Sequence, residues 1–321
     1  MIRLKRIEHI GIYLLIIVFV GIGVSIGTYL WRTRYSSPTR QPAQSAKQSS
    51  VNQVVNSPGI LKHVFIILEE NKTYGTVVGN SSAPYINSLL SQGAVATNYH
   101  AVTHPSLPNY LALTSGSTNG VTTDCNPPAA GCELNVKNIA DEIEQSGRTW
   151  KEYAETMPST CYMFNSGLYD TKHNPFVYYD SIINNASRCN SHVVPFSNML
   201  TDLKSVSTTP NYAFITPNDC NDGEQCSLTT ADSWLKTYVP IILSSKAFKT
   251  QKSLLVIVWD EGYLSSNHVL ALFLGNSAKP GFQTSLPYNH YSLLHTIEQQ
   301  WSLAPLTSND ANALTMTNMI K

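Results

Sequence analysis

The segment His63-Val-Phe-Ile-Ile-Leu68 is a continuous apolar run of strand length that stops abruptly at Glu69-Glu70-Asn71. Tyr212-Ala-Phe-Ile-Thr216, Leu254-Leu-Val-Ile-Val-Trp259 and Val269-Leu-Ala-Leu-Phe-Leu274 have the same unbroken character. A strand with one wet face alternates apolar and polar residues, so unbroken runs predict strands covered on both faces, as in parallel sheets. Helical patterns fall between them, over Pro84–Gln92, Leu107–Ser115, Val136–Gln145, Ser197–Leu203, Ala231–Ser245 and His290–Trp301. Alternating strands and helices predict an α/β fold, a three-layer sandwich around a mostly parallel central sheet.

Three of the runs end in acids or amides. The first meets Glu70 and Asn71. The second leads through Asn218 to Asp219, Asn221 and Asp222, and the third stops at Asp260-Glu261-Gly262. The carboxyl ends of parallel strands share one edge, where ligands bind. Carboxylates gathered there repel one another unless a cation sits among them. An oxygen-rich set suits Mg, Ca or Mn, and a histidine adds Zn or Fe. Taken singly, each acid is better read as an ordinary loop or cap residue; the three together favour a metal site.

Thr103-His-Pro-Ser-Leu-Pro-Asn-Tyr110 offers a nucleophile. Ser106 is placed to cap a helix starting at Leu107, with Pro108 in its first turn. The free N–H groups of that turn predict a phosphate site. A cation would lower the pKa of the hydroxyl, and the Asn109 amide could donate to a phosphoryl oxygen. His104 could contact phosphate or act as an acid, and His290 reads as a metal ligand, a substrate contact or a polar cap. His63 and His295 read as structural. There is no G-x-x-x-x-G-K-[ST] loop, no G-x-G-x-x-G turn and no G-x-S-x-G elbow, which removes support for nucleotide-cofactor folds and for an ordinary esterase triad.

Only 13% of the 321 residues are charged and the net charge is zero, so no basic surface points to nucleic acid. Ile10 to Leu30 carries no charge and is long enough to span a bilayer, with Arg3, Lys5 and Arg6 before it and Arg32 and Arg34 after. The expectation is an uncleaved single-pass anchor over 1–34 with a cytoplasmic N-terminus, a Ser/Gln/Pro-rich tether over 35–58, and a catalytic domain over 59–321. A cleaved signal peptide is the alternative, giving a secreted protein. Either way the domain is extracytoplasmic. The polar tail after Trp301 reads as a surface segment. All six cysteines lie in the exported part, and neighbours in sequence give Cys125–Cys132, Cys161–Cys189 and Cys220–Cys226 as the economical pairing among fifteen.

Glu70-Asn71-Lys-Thr-Tyr74, Ala83-Pro-Tyr-Ile-Asn87, the Thr103–Tyr110 string, Asp260-Glu261 and His290-Tyr-Ser-Leu-Leu-His-Thr-Ile-Glu298 together resemble the bacterial phosphoesterase family of secreted acid phosphatases and phospholipase C type enzymes. That family lies within the alkaline-phosphatase-like superfamily. The resemblance spans about Leu61 to Leu303, and the His-Pro-Ser-Leu-Pro-Asn-Tyr string is closest to the acid phosphatase branch. It implies Ser106 as the phosphoryl acceptor, Glu70, Asn71, Asp260 and Glu261 as ligands of a divalent metal, and Asn109 on the phosphate. Asp222 joins the metal set as a site residue. The chain departs from the pattern at Asn221-Asp-Gly-Glu-Gln-Cys226, where relatives often carry a histidine in place of Glu224; Glu224 is kept as a substrate contact. The expected activity is hydrolysis of phosphoric monoesters on a phosphorylated small molecule or phospholipid head group. The alternatives are a diesterase acting on lipid and a binding protein that has lost activity.

Overall fold

The computed structural model describes residues 60–128, 131–263 and 265–321. The expected anchor and tether lie outside the described residues. Among the described residues no helix is long and apolar enough to cross a membrane.

Nine strands form one sheet: β1 (His63–Glu69), β2 (Ala94–His100), β3 (Trp150–Ala154), β4 (Val193–Pro195), β5 (Tyr212–Thr216), β6 (Ser253–Trp259), β7 (His268–Leu274), β8 (Phe282–Thr284) and β9 (Tyr288–Asn289). The order is β4-β3-β5-β1-β6-β7-β2-β8, with β9 also pairing to β2. Every residue of β1, β5 and β6 is buried, so the sheet is covered on both faces, as unbroken apolar runs require. β7 departs from the parallel expectation and pairs antiparallel with both β6 and β2. The short loop 260–267 explains this, because a parallel return needs a long crossover whereas an antiparallel one does not. The sheet is therefore mixed, with β7 alone running against the rest.

The six expected helices form, His290–Trp301 with its expected ends and the other five with shifted ones. The one expected from Val136 begins at Ile139, because Asn138 accepts from the Ala140 N–H and Asp141 bonds back to the Asn138 N–H. The one expected from Ala231 begins earlier, at Leu228, under the cap of Ser227. The segment after Trp301 is not a surface tail. Met316, Met319 and Ile320 are buried, and Ile320 pairs with Ala278 in an isolated bridge.

All three expected disulfides are present: Cys125–Cys132, Cys161–Cys189 and Cys220–Cys226. The last closes a small loop that carries Asp222 and Glu224.

Candidate active site

β1, β5 and β6 are mutually parallel, so Glu70, Asp222 and Asp260 emerge on one edge of the sheet. β2 runs the same way, since β7 opposes both it and β6, and it delivers Ser106 to that edge too. Ser106 is the first residue of the helix Ser106–Ser115 rather than its cap. Its Oγ donates instead to Oε2 of Glu70 at 3.0 Å, and Ser106 is only 2% exposed.

Glu70 is the hub. It also accepts from the Tyr110 hydroxyl and from Asn71 Nδ2 at 3.2 Å. Asp260 Oδ1 accepts the Asn71 backbone N–H at 3.1 Å, while its Oδ2 is buried with no partner. Burial, reinforced by Asp260, Asp222 and Glu224, pushes the Glu70 carboxyl well above the usual range. Burial likewise raises Asp260 to about 6. Glu261 sits towards the mouth, where its Oε2 meets Nδ1 of the half-exposed His104 at 2.5 Å; burial and then Asp260 raise it to about 8.

A second group adjoins the first. His173 is buried between Glu70, Asp219, Asp222 and Glu224, its ring nitrogens 3.3–3.5 Å from one oxygen of each acid. None of these approaches makes a hydrogen bond. Lys172 donates to Glu224 Oε1 at 2.5 Å. Burial opposes the Lys172 ammonium, yet the hydrogen bond to Glu224 and the charge of Glu70 outweigh it and raise its pKa. The site thus holds far more carboxylates than fixed cations, and several buried oxygens point inward unpaired. That donor set fits a divalent cation.

Several expectations need correction. The Asn109 side chain is spent on backbone groups: its oxygen accepts from the Val102 and Thr103 N–H groups and its NH₂ donates to the Thr103 and Pro105 carbonyls. That exhausts an amide's capacity and leaves nothing for phosphate. The Leu107 N–H at the helix start is likewise taken, by Asp124 Oδ1. His290 is neither ligand nor substrate contact. It is fully buried, donates from Nε2 to the Asp260 carbonyl at 2.6 Å, and accepts from the Tyr99 hydroxyl at 2.9 Å. Burial lowers its pKa to about 4, so it is a neutral brace behind Asp260. Glu224 lies within the site but is bound to Lys172. His63 and His295 are structural, bonded to Pro210 and Gln251 and to Ala313.

Lys172, His173 and Tyr110 escaped the sequence reading. Lys172 and His173 occupy a short 3₁₀ turn, Thr171–His173, with no flanking periodicity, so only the tertiary fold reveals them. Tyr110, one turn along the helix from Ser106, was the one legible candidate.

The Phosphoesterase family model matches residues 79–304. A phosphatidylinositol-3-phosphatase of Mycobacterium tuberculosis is 35% identical over 80% of this chain and 82% of its own length. A probable acid phosphatase of Kluyveromyces lactis is 33% identical over 89% of this chain and 70% of its own. A crystal structure of a protein in the alkaline phosphatase superfamily from Vibrio parahaemolyticus superposes with a TM-score of 0.59 at 12% identity, covering 81% of this chain and 72% of that one. That last likeness shows an alkaline-phosphatase-like fold. On the strength of the family match and of these relatives, the chain belongs to the Phosphoesterase family and is a phosphoric ester hydrolase.

Proposed function

We propose that the protein hydrolyses phosphoric monoesters through a phosphoserine formed on Ser106, beside a divalent cation. The observation that carries this reading is the buried Ser106 hydroxyl held against Glu70 in a centre where Asp260 Oδ2 has no partner. Glu70, Asn71 and Asp260 would hold the cation, with Glu261 at its outer side. When bound, such an ion supplies Lewis-acid charge that lowers the hydroxyl pKa and offsets negative charge on the phosphoryl oxygens.

The residues do the rest. Glu70 fixes the Ser106 rotamer and accepts its proton at Oε2. Ser106 Oγ forms the bond to phosphorus as the ester oxygen departs in line. His104, half exposed and oriented by Glu261, protonates the leaving oxygen and then draws a proton from the water that cleaves the phosphoserine. Lys172 supplies a fixed positive charge near the phosphoryl oxygens, where neither the Asn109 amide nor the Leu107 N–H is free to donate. Most of the rate comes from positioning and charge complementarity.

The phosphatase names of the relatives support a monoester, and a phosphorylated head group is within the same chemistry. Three disulfides support an oxidising compartment. The apolar stretch from Ile10 to Leu30 would then hold the domain at the outer face of the membrane, or be removed on secretion.

Ser106→Ala tests the assignment against p-nitrophenyl phosphate and its diester. Turnover should fall by roughly a thousandfold or more. Acid quenching of the wild type should trap phosphate on the peptide containing Ser106. Wild-type turnover in Ser106→Ala would remove the nucleophile.

A further inference from the structure

We infer that the amino edge of the sheet, opposite the active site, is a docking surface for anionic lipid head groups, an inference that rests on the membrane placement proposed above. Lys62 and Lys252 directly precede the neighbouring parallel strands β1 and β6, whose first residues, His63 and Ser253, are paired. Lys246 and Lys249 lie on the short helix Lys246–Thr250 that leads into β6. β7 runs the other way and so ends on the same edge. Asn276, just beyond β7, accepts the Ser253 N–H at 2.9 Å and, through its carbonyl, the Lys321 ammonium at 3.2 Å. Its NH₂ donates to the Phe248 and Gln251 carbonyls at 2.7 Å, which ties the short helix to the same place. These lysines therefore meet on one face.

All of them are exposed, and none forms a salt bridge among the described residues. The segments that carry them explain why. No Asp or Glu occurs from Ile60 to Leu68, from Ser233 to Trp259, from Val269 to Ile297 or after Asp310. The opposite edge holds Glu70, Asp222, Asp260 and Glu261. Net charge summed over the chain hides this separation. A molecule polarised in this way is turned by a charged surface. An anionic bilayer attracts the lysine edge and repels the carboxylate edge. Each lysine near such a surface multiplies binding roughly fivefold, and the effect fades within a Debye length, about 8 Å at physiological salt.

The path of the chain is the independent observation. It enters the domain at Ile60 and Leu61, directly before Lys62, so the apolar stretch from Ile10 to Leu30 is joined covalently to this edge. Ile60 is itself 55% exposed, an apolar side chain beside the ammonium groups that can enter the head-group layer. Ammonium groups without an exposed aromatic among them suit a diffuse lipid surface better than nucleic acid, whose bases stack on aromatic rings. With the lysines on the bilayer, the site opens away from it, towards soluble phosphate esters.

Acylation of lysines, read residue by residue by mass spectrometry, tests the surface. The full-length protein, its disulfides intact, is reconstituted into vesicles of phosphatidylcholine alone or mixed with phosphatidylglycerol. Lys246, Lys249 and Lys252 should label about fivefold more slowly in the anionic vesicles, and salt at about 1 M should remove the difference. Lys137, at the far end of the helix that leads into β3, should label equally in both. In a Lys246→Gln, Lys249→Gln, Lys252→Gln triple variant, Lys62 and Lys321 should lose their protection while hydrolysis of p-nitrophenyl phosphate stays at the wild-type rate. Equal labelling of the wild type in the two lipids overturns the docking surface, as does protection by duplex DNA and not by vesicles. Protein that washes off phosphatidylcholine vesicles at high salt removes the anchor instead, and the same labelling with anionic vesicles added at low salt then still decides the edge.

Discussion

Ser106 Oγ donates to Glu70 Oε2 over 3.0 Å, tying the helix that follows β2 to the end of β1. Glu70 is fully buried and also receives Tyr110 and Asn71, so a single carboxylate orients the nucleophile, an aromatic hydroxyl and an amide.

Glu70→Gln keeps the volume and removes the charge. Turnover should fall by about a hundredfold or more, because the hydroxyl loses its proton acceptor and the cation a ligand. Bound metal measured after dialysis should fall with it. The metal-free protein should not be destabilised, since burial already disfavours the ionised form of Glu70. Unchanged metal content together with unchanged kcat would take Glu70 out of the site.

Asn109→Ala distinguishes a brace from a phosphate ligand. Removal strands the Val102 and Thr103 N–H groups, and stability should drop by about 2–4 kcal/mol, read from denaturant unfolding. Inhibition by inorganic phosphate should stay within about twofold of the wild type in the folded enzyme. A large rise in the phosphate inhibition constant at wild-type stability would restore Asn109 to the phosphate.

The Cys220–Cys226 bridge closes a short loop, worth about 2 kcal/mol by chain entropy. A Cys220→Ser, Cys226→Ser double variant should lose about that much. It should also bind a divalent cation about tenfold more weakly, because Asp222 would have to be ordered on binding. Metal titration by calorimetry reads both affinity and count. Undiminished affinity would show that the loop is held without the bridge.

Glu298 gives a pH dependence far from the site. Burial first, then Asp310, raises its carboxyl to about 8, with Glu142 adding to the effect, while the Leu306 N–H it accepts works the other way. A carboxyl raised in the folded state contributes stability that is fully present below its unfolded pKa, near 4.5, and is lost as pH rises through about 8. Melting temperature should therefore decline between about pH 4.5 and 8, and Glu298→Gln should flatten that decline. A variant whose melting profile parallels the wild type would place the effect elsewhere.

Much of the frame was legible in the chain because local rules decided it. β1, β5 and β6 are apolar through their centres and lead into acids. Pro, Asn and Ser mark the helix starts, and cysteines close in sequence found each other. β2 and β3 were not legible. Ala94-Val-Ala-Thr-Asn-Tyr-His100 and Trp150-Lys-Glu-Tyr-Ala154 carry polar residues in mid-strand, and Glu152 is tolerated in the core by accepting from Thr216 across the sheet.

The sequence by itself determined that the runs of β1, β5 and β6 become strands, and therefore that Glu70, Asp222 and Asp260 share an edge, because parallel strands put their carboxyl ends on one side. Only the tertiary structure decided what each side chain does there. An asparagine looks the same whether its amide faces phosphate or four backbone groups, and a lone histidine in a short turn carries no periodic signal. Asn109 became a brace, His290 a neutral prop and His173 the centre of an acidic cluster because hydrogen-bond capacity is settled by neighbours distant in the chain.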